Sequence, residues 1–211
     1  MDKKTLMEQI EKNVKNCGKC RLCKNAKNPV PGEGNINSEI VFIGEAPGAV
    51  EDETGRPFVG RAGKLLEVLL KKINLDRKDV WIGNIIKHRP PDNRDPLPDE
   101  IASCEPYLSL QIQTIKPLLI VALGRFSMNY FYKEGKITRD HGHLIKVDGY
   151  NVYPIYHPAA ALRSGGMLEV LKEDFLRIPD VLSEIKSGNV KYENAEIKSA
   201  DVADGQLGLS L

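Results

Sequence analysis

The chain has 211 residues, 41% of them hydrophobic, with 30 Lys/Arg against 29 Asp/Glu and a net charge of +1. That apolar content suffices for the core of one α/β domain, and the near-neutral balance excludes a polycation that binds by bulk charge alone. Residues 188 to 211 hold two Lys and four Asp/Glu, leaving residues 1 to 187 at +3, which suits a local basic groove and equally an ordinary solvated surface.

In chain order, Leu6, Ile10 and Val14 recur at helical spacing and predict an amphipathic helix ending at the Cys17-Gly18 turn. Charges run throughout these first residues and nowhere do eighteen apolar residues stand together, so no signal peptide or membrane span is expected and the protein is read as intracellular. Three of the four cysteines, Cys17, Cys20 and Cys23, crowd into seven residues, which suits a metal better than a disulfide framework in a reducing compartment. Four apolar runs read as buried strands: 40–43, 80–86, 118–123 and 152–156. Helical patterns over 62–73 and 99–115, the second opened by Pro98-Asp99-Glu100, separate the first three. This alternation predicts an α/β fold: a three-layer α/β/α sandwich around a four-stranded, mostly parallel sheet. Residues 1–186 read as one domain and 187–211 as a polar, disordered tail.

Ligands of such sheets sit at the carboxyl ends of the strands, so the post-strand segments GEAPG, NIIKHRPP, LGRFS and YHPAAALR carry the functional information. Gly44-Glu45-Ala46-Pro47-Gly48 lets backbone N–H groups approach a ligand, and read alone is also an ordinary strand-to-helix turn. A phosphate loop at Gly60-Arg61-Ala62-Gly63-Lys64 is rejected, because that pattern requires Gly where Phe58 stands and Ser/Thr where Leu65 stands.

Three segments together are specific. GEAPGAVEDETGRPFVGRAGKLL, NIIKHRPP followed by Asn93-Arg94, and His157-Pro158-Ala159-Ala160-Ala161-Leu162-Arg163 resemble, in order, the motifs of the family 4 iron–sulfur uracil-DNA glycosylases. The resemblance spans Cys17 to Ile178 and implies an enzyme that flips uracil out of DNA and hydrolyses its N-glycosidic bond. That reaction leaves an oxocarbenium-like sugar and a uracil anion, so it needs a donor at uracil O2, a held water and a pocket that reads the base edge.

His157 is the natural donor. Asn84 suits uracil O4 and N3–H, since cytosine presents the opposite pattern. The resemblance places Phe58 as a stacking platform, Glu51 beside uracil C5 where it would exclude the thymine methyl, and the Gly44-Glu45-Ala46 backbone against the base. Several related glycosylases place Asp or Asn where this chain has Ala46, so Glu45 and Glu51 become the candidates for orienting water; a solvated acidic loop of Glu45, Glu51 and Asp52 is the plain alternative. Leu162 and Arg163 are implied to enter the minor groove and fill the vacated space. Arg89 and Arg94 are candidate phosphate contacts, or simply exposed charges in a Pro-rich loop.

The resemblance also implies a 4Fe–4S cluster held by two cysteine pairs. Cys17, Cys20 and Cys104 match three ligands, while His88 stands where the fourth cysteine belongs. Imidazole ligates cluster iron in Rieske centres, so Cys17, Cys20, His88 and Cys104 form the expected set; Cys23 as fourth ligand, an open iron, or tetrahedral zinc are the alternatives. A structural role follows, because hydrolysis transfers no electrons. The chain has no inserted loop of the kind that traps uracil-DNA covalently, and no evident amine nucleophile, so turnover without strand cleavage is expected. Uracil-containing DNA is the expected partner of a monomer. Gln206 and Leu209 in the tail weakly resemble the start of a sliding-clamp-binding peptide. The rival readings are a non-catalytic uracil- or DNA-binding module with a sensing cluster, and a ferredoxin-like small-molecule protein.

Overall fold

The predicted apolar runs lie side by side as parallel strands at the centre of a computed structural model that describes residues 2–192. They are β2 (Ile40–Gly44), β3 (Trp81–Asn84), β4 (Leu119–Leu123) and β6 (Tyr150–Ile155). The sheet has six strands, not four, in the order β1-β3-β2-β4-β6-β5. The additional members, β1 (Glu33–Gly34) and β5 (Ile145–Val147), are antiparallel edge strands beside β3 and β6. At two and three residues, they are too short to show a period in sequence.

Alternate residues of the buried strands enter two different cores, as expected for a parallel sheet covered on both sides. Ile40 and Phe42 face a cluster built on α3 (Arg61–Lys72), α8 (Gly165–Leu176) and α9 (Ile178–Ser187). Val41 and Ile43 face one built on α4 (Pro98–Ile115) and α5 (Gly124–Phe131). The three-layer α/β/α sandwich is therefore present. The shorter helices α2 (Ala49–Thr54), α6 (Ile137–Asp140) and α7 (Pro158–Ala161) join loops to this frame.

The helix α1 (Lys3–Lys15) stops two residues before the predicted Cys17-Gly18 turn. Its buried Ile10 and Val14 pack against Tyr107 of α4, which brings the Cys17–Cys23 segment towards Cys104 on the same helix. The strand expected over 80–86 ends at Asn84. Ile85 and Ile86 still donate to Gly44 O and Glu45 O (3.0 and 3.2 Å), so the chain stays tethered to β2 while it turns away. The expected tail from 193 onward, with Gln206 and Leu209, lies outside the described residues. Among the described residues no helix is long and apolar enough to cross a membrane.

Candidate active site

The carboxyl ends of β2 and β3 are in register, Gly44 opposite Asn84, and the site is built on that pair. A Cβ on Gly44 would lie 2.5 Å from both Asn84 Oδ1 and Phe58 Cζ, so only glycine lets the amide and the ring meet over the strand end. Asn84 is 1% exposed, and its Oδ1 is buried with no hydrogen-bond partner among the described residues. Most buried acceptors are satisfied, and an orphan costs about 1–3 kcal/mol, so this one marks a place where a ligand donor belongs. From inside the core, Lys87 Nζ donates to Asn84 O and to Gln111 Oε1, both at 2.8 Å, and fixes the asparagine backbone.

Phe58 is buried in a left-handed conformation (φ 51°), its ring 5.7 Å from the His157 imidazole. The adjoining loop is folded by Glu51, whose Oε1 accepts from Val59 N and Gly60 N at 2.9 and 2.8 Å. Glu51 is thus a buried, bound carboxylate and not part of a solvated acidic loop. Asp52 is buried too, accepting from Lys27 N at 2.9 Å.

His157 follows β6 and caps α7, with Nδ1 accepting from Ala159 N at 3.1 Å. That bond places the proton of the neutral ring on Nε2. Burial, reinforced by Arg163 and opposed by Glu51, pushes the His157 pKa down to about 4, so the ring is neutral around pH 7. At the end of β4, Gly124 (φ 85°) makes room for it: a Cβ there would lie 2.8 Å from His157 Cβ. Burial and the nearby Asp95 push Glu45 up to about 7, with Arg125 opposing.

Glu45, Ala46, Gly48, Glu51, Phe58, Asn84 and His157 line one cavity of about 430 Å³, together with Asn93, Arg94, Asp95 and Arg163. Gly44 underlies it through its contacts with Phe58 and Asn84. Leu162 (39% exposed) and Arg163 lie on the surface just after α7. Arg94 reaches the cavity, but both terminal nitrogens are bound to the buried Glu100 carboxylate (2.8 and 2.6 Å), so its main partner is within the fold. Arg89 donates to Asn93 Oδ1 at 2.8 Å and is not among the cavity-lining residues.

Residues 31–177 match the family model described as the uracil DNA glycosylase superfamily. This chain belongs to that superfamily. It is 48% identical to a type-4 uracil-DNA glycosylase of Saccharolobus solfataricus, over 84% of this chain and 87% of the relative. A type-4 enzyme of Thermotoga maritima is 46% identical over 80% and 91% of the two chains, and a type-5 enzyme of Pyrobaculum aerophilum 31% identical over 67% and 70%.

Of the candidate cluster ligands, Cys17 and Cys20 follow α1, His88 lies in the loop after β3 and Cys104 lies on α4. Cys104 is 1% exposed on α4, and its Sγ accepts from Lys87 N at 3.4 Å. Burial pushes the Cys104 thiol up to about 11; Lys87 opposes this, while Cys20 and Cys17 add to it. His88 is 4% exposed, its Nδ1 buried without a partner among the described residues, and burial holds its pKa below the ordinary value. Cys23 Sγ points back to Cys20 O at 3.1 Å. Among the described residues, no three His, Cys, Asp or Glu side chains converge tightly enough to hold a single ion. Cys17 and Cys20 near enough to raise the Cys104 pKa, a backbone N–H aimed at Cys104 Sγ and an orphaned buried imidazole nitrogen nevertheless fit a group larger than one ion.

Sequence reading missed Lys87, Asp95 and Arg125. Lys87 had a visible signal, a cation directly after the apolar run that ends in Ile85-Ile86, and Arg125 lay in the post-strand segment LGRFS.

Proposed function

We propose that this protein is a monofunctional uracil-DNA glycosylase that hydrolyses the N-glycosidic bond of flipped-out uracil and leaves an abasic site. The observation that carries this reading is the buried, unpartnered Asn84 Oδ1 in a cavity shared with a neutral, Nε2-protonated His157. Oδ1 accepts from uracil N3–H, and the amide nitrogen donates to O4. As the C1′–N1 bond breaks, its electron pair moves into the uracil ring, and the His157 Nε2–H stabilises the charge at O2. Phe58 stacks on the flipped ring, Glu51 excludes a C5 methyl, and Leu162 with Arg163 fills the vacated stack. Release of free uracil from a uracil-containing oligonucleotide tests the reading; tight binding without release would make this a binding module instead.

Glu45 stands in for the acidic residue that Ala46 does not supply. Its carboxylate orients water towards C1′ and takes the proton as the sugar cation is captured. The deprotonated form is the active one, so release is expected to rise with pH through about 7. Glu45→Gln should lower the rate about 10²-fold and flatten that limb. An unchanged profile would remove Glu45 from this role.

Cys17, Cys20, His88 and Cys104 would hold a 4Fe–4S cluster, supplying a structural cross-link between the N-terminal segment, α4 and the loop after β3. Purified protein should contain about four irons per chain; about one zinc instead would establish the tetrahedral alternative. Stripping the metal is expected to lower the unfolding temperature by roughly 5–10 °C. The proposal is completed by action on uracil-containing DNA as an intracellular monomer, with clamp contact through Gln206 and Leu209 as a separable addition.

A further inference from the structure

The segment between α3 and β3 sends one side chain to the base platform. Arg77, 15% exposed, donates from Nη1 to Phe58 O at 2.8 Å and from Nη2 to Pro57 O. Its Nε donates to Glu33 Oε1 at 2.5 Å, and Glu33 is itself fixed by the β1–β3 pairing and by a two-point bond from Arg56 (2.9 and 3.0 Å). The guanidinium therefore bridges two successive carbonyls with its back held by a carboxylate, a geometry that lysine's single ammonium does not reproduce. On the other side, Phe58 O lies against the first turn of α3, where a Cβ on Gly63 would be only 1.8 Å away. Between these contacts Phe58 holds its left-handed backbone, and its ring is directed over Gly44 towards His157. A left-handed phenylalanine persists only where the surroundings over-determine it.

We infer that Arg77 is a positioning residue for uracil recognition: its fork clamps Pro57 O and Phe58 O and so sets the plane on which the flipped base stacks. This rests on the reading of Phe58 as the stacking platform. The test is a double-mutant cycle on uracil release with wild type, Arg77→Met, Phe58→Ala and the double variant. Arg77→Met is expected to lower kcat/KM roughly ten- to hundredfold with Phe58 present, and less than about twofold once the ring is gone. The same factor in both backgrounds overturns the inference. Should Arg77→Met fail to fold, Arg77→Lys, which keeps the charge beside Glu33 but not the fork, enters the same cycle. A second readout is independent of uracil chemistry. In fluorophenylalanine-labelled protein, the ¹⁹F resonance of Phe58, assigned through Phe58→Leu, should move on Arg77→Lys. An unmoved resonance also overturns the inference. Wild-type protein that releases no uracil would refute the functional reading alone, and the ¹⁹F spectrum would still decide the clamp.

Discussion

Replacing His157 with Ala is expected to lower the single-turnover rate of uracil release by about 10²- to 10³-fold, the usual effect of removing a preorganised donor to developing negative charge. The magnitude follows from the arrangement of the ring. The Ala159 N–H occupies Nδ1, so the Nε2 proton needs no reorganisation when charge appears on uracil O2. With a pKa of about 4, the ring in the proposed role is a neutral donor that would polarise the leaving group without protonating it. Its protonation does not limit the rate until the pH falls below about 5, so an acid limb near pH 7 is attributed to Glu45. The lowered pKa also makes His157 a source of acid lability. The unfolded chain binds a proton at the ordinary value of 6.5 while the folded chain resists it, so stability decreases as pH falls from about 6.5 towards 4. Release by His157→Ala within threefold of wild type would exclude the donor role.

Substituting Asn84 with Asp is expected to cost on the order of 10²- to 10⁴-fold on uracil and to shift the uracil-to-cytosine ratio towards cytosine. A carboxylate at 84 loses the amide donor for uracil O4 but can accept from the cytosine amino group. Among the described residues no other group competes for the amide oxygen, and Lys87 holds its backbone from behind, so the side chain has little freedom to escape a mismatched base. Parallel single-turnover assays on uracil- and cytosine-containing oligonucleotides give the ratio. An unchanged ratio would show that discrimination lies elsewhere in the cavity. The metal content of both variants should equal that of wild type, because neither side chain is a proposed ligand.

The parallel centre of the sheet was legible because β2, β3, β4 and β6 are continuous apolar runs, and residues buried on both faces leave that mark in any sequence. Asn84 and His157 were legible because each directly follows or ends such a run, where α/β sheets place ligands. The edge strands were not: Glu33–Gly34 and Ile145–Val147 are defined by pairing partners, not by their own composition. The pairing of Arg94 with Glu100 was not legible either, because the two meet only when the start of α4 packs against the Pro-rich loop.

Composition, strand-like runs and post-strand motifs are local properties written along the chain, and they determined the α/β class, the family and which residues are the candidates for base reading and hydrogen-bond donation. The tertiary structure alone decided how those residues act. The pKa of about 4 at His157 and about 7 at Glu45 arises from burial and from charges on other elements. The orphaned Asn84 oxygen, the bound Glu51 carboxylate and the Arg77 fork depend on groups that the folded loops and strand ends bring together. Desolvation and hydrogen-bond geometry are set by three-dimensional neighbours, and no spacing in the chain encodes them.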